Sequence, residues 1–165
     1  MNDNLWESYW NNVDNHDWWL RPAPEVIDLI KSLPPNPKGS LLDLGCGLGR
    51  HAIAFAAAGY SVTATDSSEA AIEYLQKWAQ NLHLSIETRV CTVCEDGFPE
   101  ESFDVVLSYN VIYHGSREQF AQAISHVRKL LKPHGTFFFT CPSRQDGKYG
   151  FGELVAPHTY RCEKS

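Results

Sequence analysis

Apolar residues recur along this chain with two different periods, and the switching between them predicts secondary structure before any chemistry is considered. Short apolar or alternating runs at residues 40–44, 61–66, 85–91 and 136–140 have the length and β-branched or aromatic content of strands. Between them the spacing changes to threes and fours. One helix is predicted to start near Pro24, where a missing N–H costs nothing, and to run to Ile30 before Pro34-Pro35-Asn36-Pro37 breaks it. An alanine-rich helix follows Leu48 and stops at Gly59. A third occupies about 68–81, with Ala71, Ile72, Leu75, Trp78 and Ala79 inward, and a fourth is capped by Ser116 and buries Phe120, Ala123, Ile124, Val127, Leu130 and Leu131. Strands alternating with helices imply an α/β fold with a parallel sheet.

The first twenty residues stand apart, with four of the five tryptophans: Trp6, Trp10, Trp18 and Trp19. Trp6, Tyr9, Trp10 and Val13 share one face of a short helix, which must be buried. That face either packs on the core or lids a site, and one aromatic face can do both.

Length and composition narrow the possibilities. At 165 residues and 43% hydrophobic content the chain is expected to form a single domain: an aromatic segment at 1–20, a core at 40–141 and a tail at 142–165. No apolar run is long enough to span a membrane and no secretory leader is visible, so a cytoplasmic setting is expected. The net charge of −6, without a cluster of Lys and Arg, argues against nucleic acid as a partner. Five cysteines (Cys46, Cys91, Cys94, Cys141 and Cys162) are read as structural thiols. Cys91-Thr92-Val93-Cys94 has the spacing of half a zinc site but lacks a second pair, and no metal is expected.

The chemistry sits where the first strand ends. Leu41-Leu42-Asp43-Leu44 runs into Gly45-Cys46-Gly47-Leu48-Gly49, a strand-to-helix turn of the kind that brings bare backbone against a nucleotide-like ligand. The second strand ends in Asp66, about twenty residues on, where an acid can take two hydrogen bonds from ribose hydroxyls; the competing role for Asp66 is to cap the following helix. A dinucleotide fingerprint separates its last two glycines by three positions, whereas Gly47 and Gly49 are two apart.

Asp-x-Gly-x-Gly-x-Gly resembles the first motif of the class I S-adenosylmethionine-dependent methyltransferases. The resemblance continues through Phe103-Asp104 at the head of a fourth strand, Asn110-Val111-Ile112-Tyr113-His114 after it, and Leu131-Lys132-Pro133-His134-Gly135 before the fifth. It implies a three-layer Rossmann-like sandwich with strand order 3-2-1-4-5, in which the usual C-terminal antiparallel strands are missing or truncated. The tail, with Tyr149, Phe151, Leu154 and Tyr160, reads as the start of further structure, which points to a truncated chain.

The implied cofactor is S-adenosyl-L-methionine, bound by Asp43, Gly45, Cys46, Gly47, Gly49, Asp66, Ser67, Thr92, Val93 and Asn110, with Tyr9 and Arg21 contributed by the N-terminal segment. Relatives often carry an acid where Thr92 stands, so Thr92, Glu95 or Asp96 is expected at the adenine. His114 is the candidate base and Tyr113 a substrate-positioning residue. The Asn-Val-Ile-Tyr-His stretch is similar to that of small-molecule and tellurite-resistance type enzymes, so a small-molecule methyl acceptor is expected. Two other readings are a cofactor-binding protein without catalysis and a nicotinamide-dependent oxidoreductase. With the fifth strand at the sheet's margin, Phe137, Phe138 and Phe139 would leave an edge open to pairing, and a homodimer through it is expected.

Overall fold

The computed structural model describes residues 3–11, 16–34, 39–95, 97–145, 147, 150, 153–156 and 159–161. Val13, Pro35, Asn36, Pro37, Asp96, Tyr149, Phe151, Cys162 and the side chain of Tyr160, named above, lie outside the described residues. The elements follow in the order α1 (Asp3–Asn11), α2 (His16–Leu20), α3 (Pro24–Ser32), β1 (Ser40–Leu44), α4 (Arg50–Ala57), β2 (Ser61–Asp66), α5 (Glu69–Asn81), β3 (Ile86–Val90) and β4 (Phe103–Ser108). A 3₁₀ turn (Ile112–His114), α6 (Arg117–Leu130), β5 (Leu131–Phe139), β6 (Glu153–Ala156) and β7 (Thr159–Arg161) complete the chain.

Five strands form one parallel sheet in the order β3-β2-β1-β4-β5. Because β1 lies at its centre, both faces of that strand are covered, which is why its sequence is a near-continuous apolar run. Leu41 faces a cluster built from α3, α4 and α5, with Val26, Phe55, Leu75, Val105 and Leu107 buried in it. Leu42 and Leu44 face the other side, against Val106, Val127 and Leu130 beneath α6. Three layers result, with helices on both faces of the sheet.

Reversal of strand order between β2 and β4, on either side of β1, opens a crevice beyond the strands' carboxyl ends. Most of the site residues expected from the sequence gather there. Ser68 caps α5 by accepting from the Ala71 N–H at 3.2 Å, and Ser116 opens α6 with a reciprocal capping box to Gln119. Asp66 is therefore not the cap of α5.

The fifth strand differs from expectation at its start. Pairing with β4 begins at Leu131 opposite Phe103, is interrupted, and resumes at Thr136 opposite Val105. The cause is a polar pin. Lys132 Nζ lies 2.8 Å from Asp104 Oδ2, and the same carboxylate accepts from Ser40 N–H at 2.7 Å and Ser40 Oγ–H at 2.8 Å. The segment read as a turn is thereby held against the sheet, and His134 absorbs the irregularity at φ +65°. Beyond Phe139, β6 and β7 form an antiparallel hairpin separate from the main sheet. Among the described residues no helix is long and apolar enough to cross a membrane.

Candidate functional site

The glycine turn is a backbone surface by necessity. Gly45, Gly47 and Gly49 have φ of +75°, +54° and +89°, conformations that side chains rarely adopt. A Cβ on Gly45 would collide with Val111, and one on Gly47 would come within 2.7 Å of Trp10 Cζ2. The third glycine does something different: a Cβ on Gly49 would strike Leu75 of α5. At Gly49 the close approach is therefore that of a neighbouring helix.

Two anchors fix the turn to β2. Thr65 O accepts from the N–H groups of both Gly45 and Cys46 at 2.8 Å, and Asp66 Oδ2 accepts from Gly47 N–H at 2.8 Å. Asp66 Oδ1 accepts from Ser68 N–H at 2.9 Å. Burial raises the Asp66 pKa, against these backbone donors, which lower it. The carboxylate ties the two ligand-facing turns together and still lies in the wall of the cavity.

That cavity has a volume of about 790 Å3, within the roughly 300–1,000 Å3 usual for small-molecule sites. Its wall brings together Gly45, Cys46, Gly47, Asp66, Ser67, Thr92, Val93, Asn110, Tyr113, His114 and Tyr9, all expected from the sequence. Burial pushes the Cys46 thiol well above its usual range. Thr92 donates to Glu95 Oε2 at 2.7 Å, so these two adenine candidates form one polar unit in the wall. Cys91 and Cys94 also line the cavity. Asn110, at φ +61°, takes Thr140 Oγ1 as partner for its backbone N–H and its side-chain carbonyl, both at 2.8 Å.

Three expected residues lie outside the wall. Gly49 sits beneath Leu75, as described, and Arg21 is exposed. Asp43 is buried behind the turn, where desolvation lifts its pKa to about 7 and its Oδ2 has no hydrogen-bond partner among the described residues. A bare-backbone turn and an acid ending the neighbouring strand, both in the cavity wall, suit a ligand that carries a ribose. The residues present therefore fit S-adenosylmethionine.

On the outer side the cavity is roofed by rings. Trp6, Tyr9, Trp10 and Trp19 line it, with Tyr9–Trp10 and Trp10–Trp19 centroids 5.0 and 5.3 Å apart and both pairs edge to face. Trp6 meets the His114 ring at 4.9 Å, so the roof reaches the segment after β4. Arg50 and Glu7 hold this roof, and neither was singled out from the sequence. The Arg50 Nη1 donates to the carbonyls of Trp18 at 3.4 Å and Arg21 at 3.2 Å, with its guanidinium between the rings of Trp19 and Tyr109. Glu7 accepts from Ser68 Oγ–H at 2.7 Å. Arg50 had one available signal, a charged residue opening an otherwise apolar helix. His51 beside it takes the Ala23 N–H at 3.2 Å on Nε2, and burial lowers its pKa to about 3, so it is a neutral acceptor.

A parallel 3-2-1-4-5 sheet with a glycine turn after β1 and an acid ending β2 defines a Rossmann-like methyltransferase architecture. Residues 41–135 match the family described as a methyltransferase domain, and the chain belongs to that family. Among curated relatives it is 33% identical over 122 residues to a ubiquinone biosynthesis O-methyltransferase of Rickettsia akari, covering 73% of this chain and 47% of that protein. The corresponding Rickettsia typhi protein is 33% identical over 159 residues, covering 87% and 63%. The chain therefore spans only about half to two thirds of the length of these relatives. Among solved structures, TehB from Haemophilus influenzae superposes with a TM-score of 0.66 at 25% identity, covering 81% of this chain and 44% of that one. TehB represents the expected tellurite-resistance type.

Proposed function

We propose that this chain transfers the methyl group of S-adenosyl-L-methionine to a small-molecule acceptor held between the aromatic roof and the segment after β4. The observation that carries this reading is the single cavity in which the bare turn of Gly45 and Gly47, the Asp66 carboxylate and the roof of Trp6, Tyr9 and Trp10 meet. When bound, the cofactor supplies a methyl group on a positively charged sulfur, which is electrophilic without further activation. The chain needs only to bind, align and exclude water.

In this reading Gly45, Cys46 and Gly47 receive the methionyl end on backbone, with Asn110 and Tyr9 closing around it. Asp66 accepts from the ribose hydroxyls, and Ser67, Thr92 and Val93 flank the adenine. Asp43 and Gly49 act from behind by fixing the shape of the turn, and Arg21 enters through its carbonyl, the acceptor for Arg50. The faces of Tyr9, Trp10 and Trp19 favour a cation, which suits the sulfur.

His114 and Tyr113 occupy the acceptor side. His114 Nε2 lies 3.0 Å from the Asn110 carbonyl oxygen, which can only accept, so the ring proton belongs on Nε2 and Nδ1 is the basic nitrogen. A base of this kind serves a hydroxyl acceptor, and the names of the Rickettsia relatives make O-methylation the first chemistry to test. A second copy of the chain, paired along the edge strand β5, belongs to the same reading; Phe139 on that strand is 38% exposed.

Calorimetric titration tests the cofactor half of this reading. S-adenosylhomocysteine should bind in the micromolar range and NADH should not, because glycine spacing decides between them. Equal affinity for the two would overturn it. Transfer of a labelled methyl group across a panel of phenols, amines and thiols tests the rest, and no transfer to any would leave a cofactor-binding protein without catalysis.

A further inference from the structure

The roof and the cofactor turns are joined by one chain of hydrogen bonds. Glu7 Oε2 on α1 takes the Ser68 hydroxyl proton at 2.7 Å, and the Glu7 oxygens also face the Ala70 N–H at 3.3 and 3.4 Å. Ser68 N–H goes to Asp66 Oδ1 at 2.9 Å, and Asp66 Oδ2 takes Gly47 N–H at 2.8 Å. The far end of that relay returns to α1, because Gly47 is the residue on which Trp10 rests. Helix α1 thus grips both turns that meet the cofactor, through a carboxylate at one end and an indole at the other.

Two acids share this small region, and their charges repel. Donors at the start of α5 make the arrangement favourable, since an uncompensated helix N-terminus offers N–H groups and positive potential to carboxylates. Glu7 accepts from the Ser68 hydroxyl and faces the Ala70 N–H, while Asp66 accepts from the N–H groups of Ser68 and Gly47. Removing Glu7 takes away the carboxylate that ties α1 to the start of α5, and the Ser68 hydroxyl loses the acceptor that orients it beside Asp66.

Resting on the cofactor reading above, we propose that Glu7 is a positioning residue: it latches the aromatic roof onto the start of α5, so that closing the roof and ordering the ribose-binding turn are one event. The cofactor is then released only when Glu7 lets go of Ser68. Glu7 touches neither cofactor nor acceptor in this account; it acts through Ser68, Asp66 and the position of Trp10.

Two measurements on the whole chain test the latch. In stopped-flow tryptophan fluorescence, Glu7→Ala should release S-adenosylhomocysteine about tenfold faster, the equivalent of one charge-assisted hydrogen bond. Glu7→Gln, which keeps an acceptor oxygen but no charge, should fall between it and the parent. In hydrogen exchange without ligand, Glu7→Ala should speed exchange at residues 3–11 and at the amides of Gly47 and Ala70, with the centre of the sheet unchanged. Unchanged exchange at those amides overturns the latch. Faster exchange with unchanged release overturns its role in holding the cofactor. If the parent chain fails to bind S-adenosylhomocysteine the cofactor reading falls, and the exchange result alone then decides whether Glu7 couples α1 to the turn.

Discussion

Asp66 serves two functions with one carboxylate, because it already holds Gly47 N–H and Ser68 N–H and also faces the cavity. Asp66→Ala is expected to weaken S-adenosylhomocysteine by about 2 kcal/mol, through unpaired ribose hydroxyls and a loosened turn; calorimetry checks this, and unchanged affinity would confine Asp66 to holding the turn. Asp43 predicts a pH effect. Burial lifts its pKa from 3.8 to about 7, so between those values the folded chain binds a proton that the unfolded chain has lost. The associated stability is full below about pH 4, falls as pH rises toward 7 and is gone above it, an effect bounded at roughly 4 kcal/mol. Asp43→Asn should flatten the slope of denaturant stability between pH 4 and 7; an unaltered slope would mean that Asp43 ionises normally. Arg50 works by geometry as much as charge, since one nitrogen serves two carbonyls while the plane lies between two rings.

At the scale of elements, the three glycines of one turn divide their work. Gly45 and Gly47 line the cavity, whereas Gly49 carries the approach of α5 through Leu75, which is fully buried. Gly49→Ala is therefore expected to cost about 3 kcal/mol of stability, from overpacking and a strained φ. Thermal unfolding would show a lowered midpoint, and a loss of cofactor affinity without that shift would return Gly49 to the binding surface. Sequence legibility follows the same division between local and distant causes. The bounds of β1 and β2 were readable because a buried parallel strand is an apolar run that ends at a glycine turn or an acid, both local signals. The start of β5 was not, because Lys132, Pro133 and Gly135 read as a turn, and what holds them is Asp104, 28 residues away. Glu7 and Arg50 were missed for the same reason: their partners lie 61 and 29 residues away, and nothing in their neighbourhoods names them.

Across the whole molecule, the sheet has its chemistry along one end and β5 as one of its two edge strands, where Phe138 packs into the larger buried cluster and Phe137 and Phe139 stack at 4.9 Å. A substitution meant to test pairing must therefore spare Phe138. Phe139→Lys should shift sedimentation toward monomer with the fold intact; a parent chain that is already monomeric at high concentration would end the dimer proposal. The cavity roof has a different consequence, one that concerns synthesis. Glu7 and its partner Ser68 are separated by 61 positions, and all of them must be made before the contact can form. At about 5–20 residues per second this interval is roughly 3–12 s. Throughout it Trp6, Tyr9 and Trp10 ride on the nascent chain as an uncovered aromatic stripe. Slow codons placed between positions 10 and 114, where the roof meets His114, should then lower the yield of native protein.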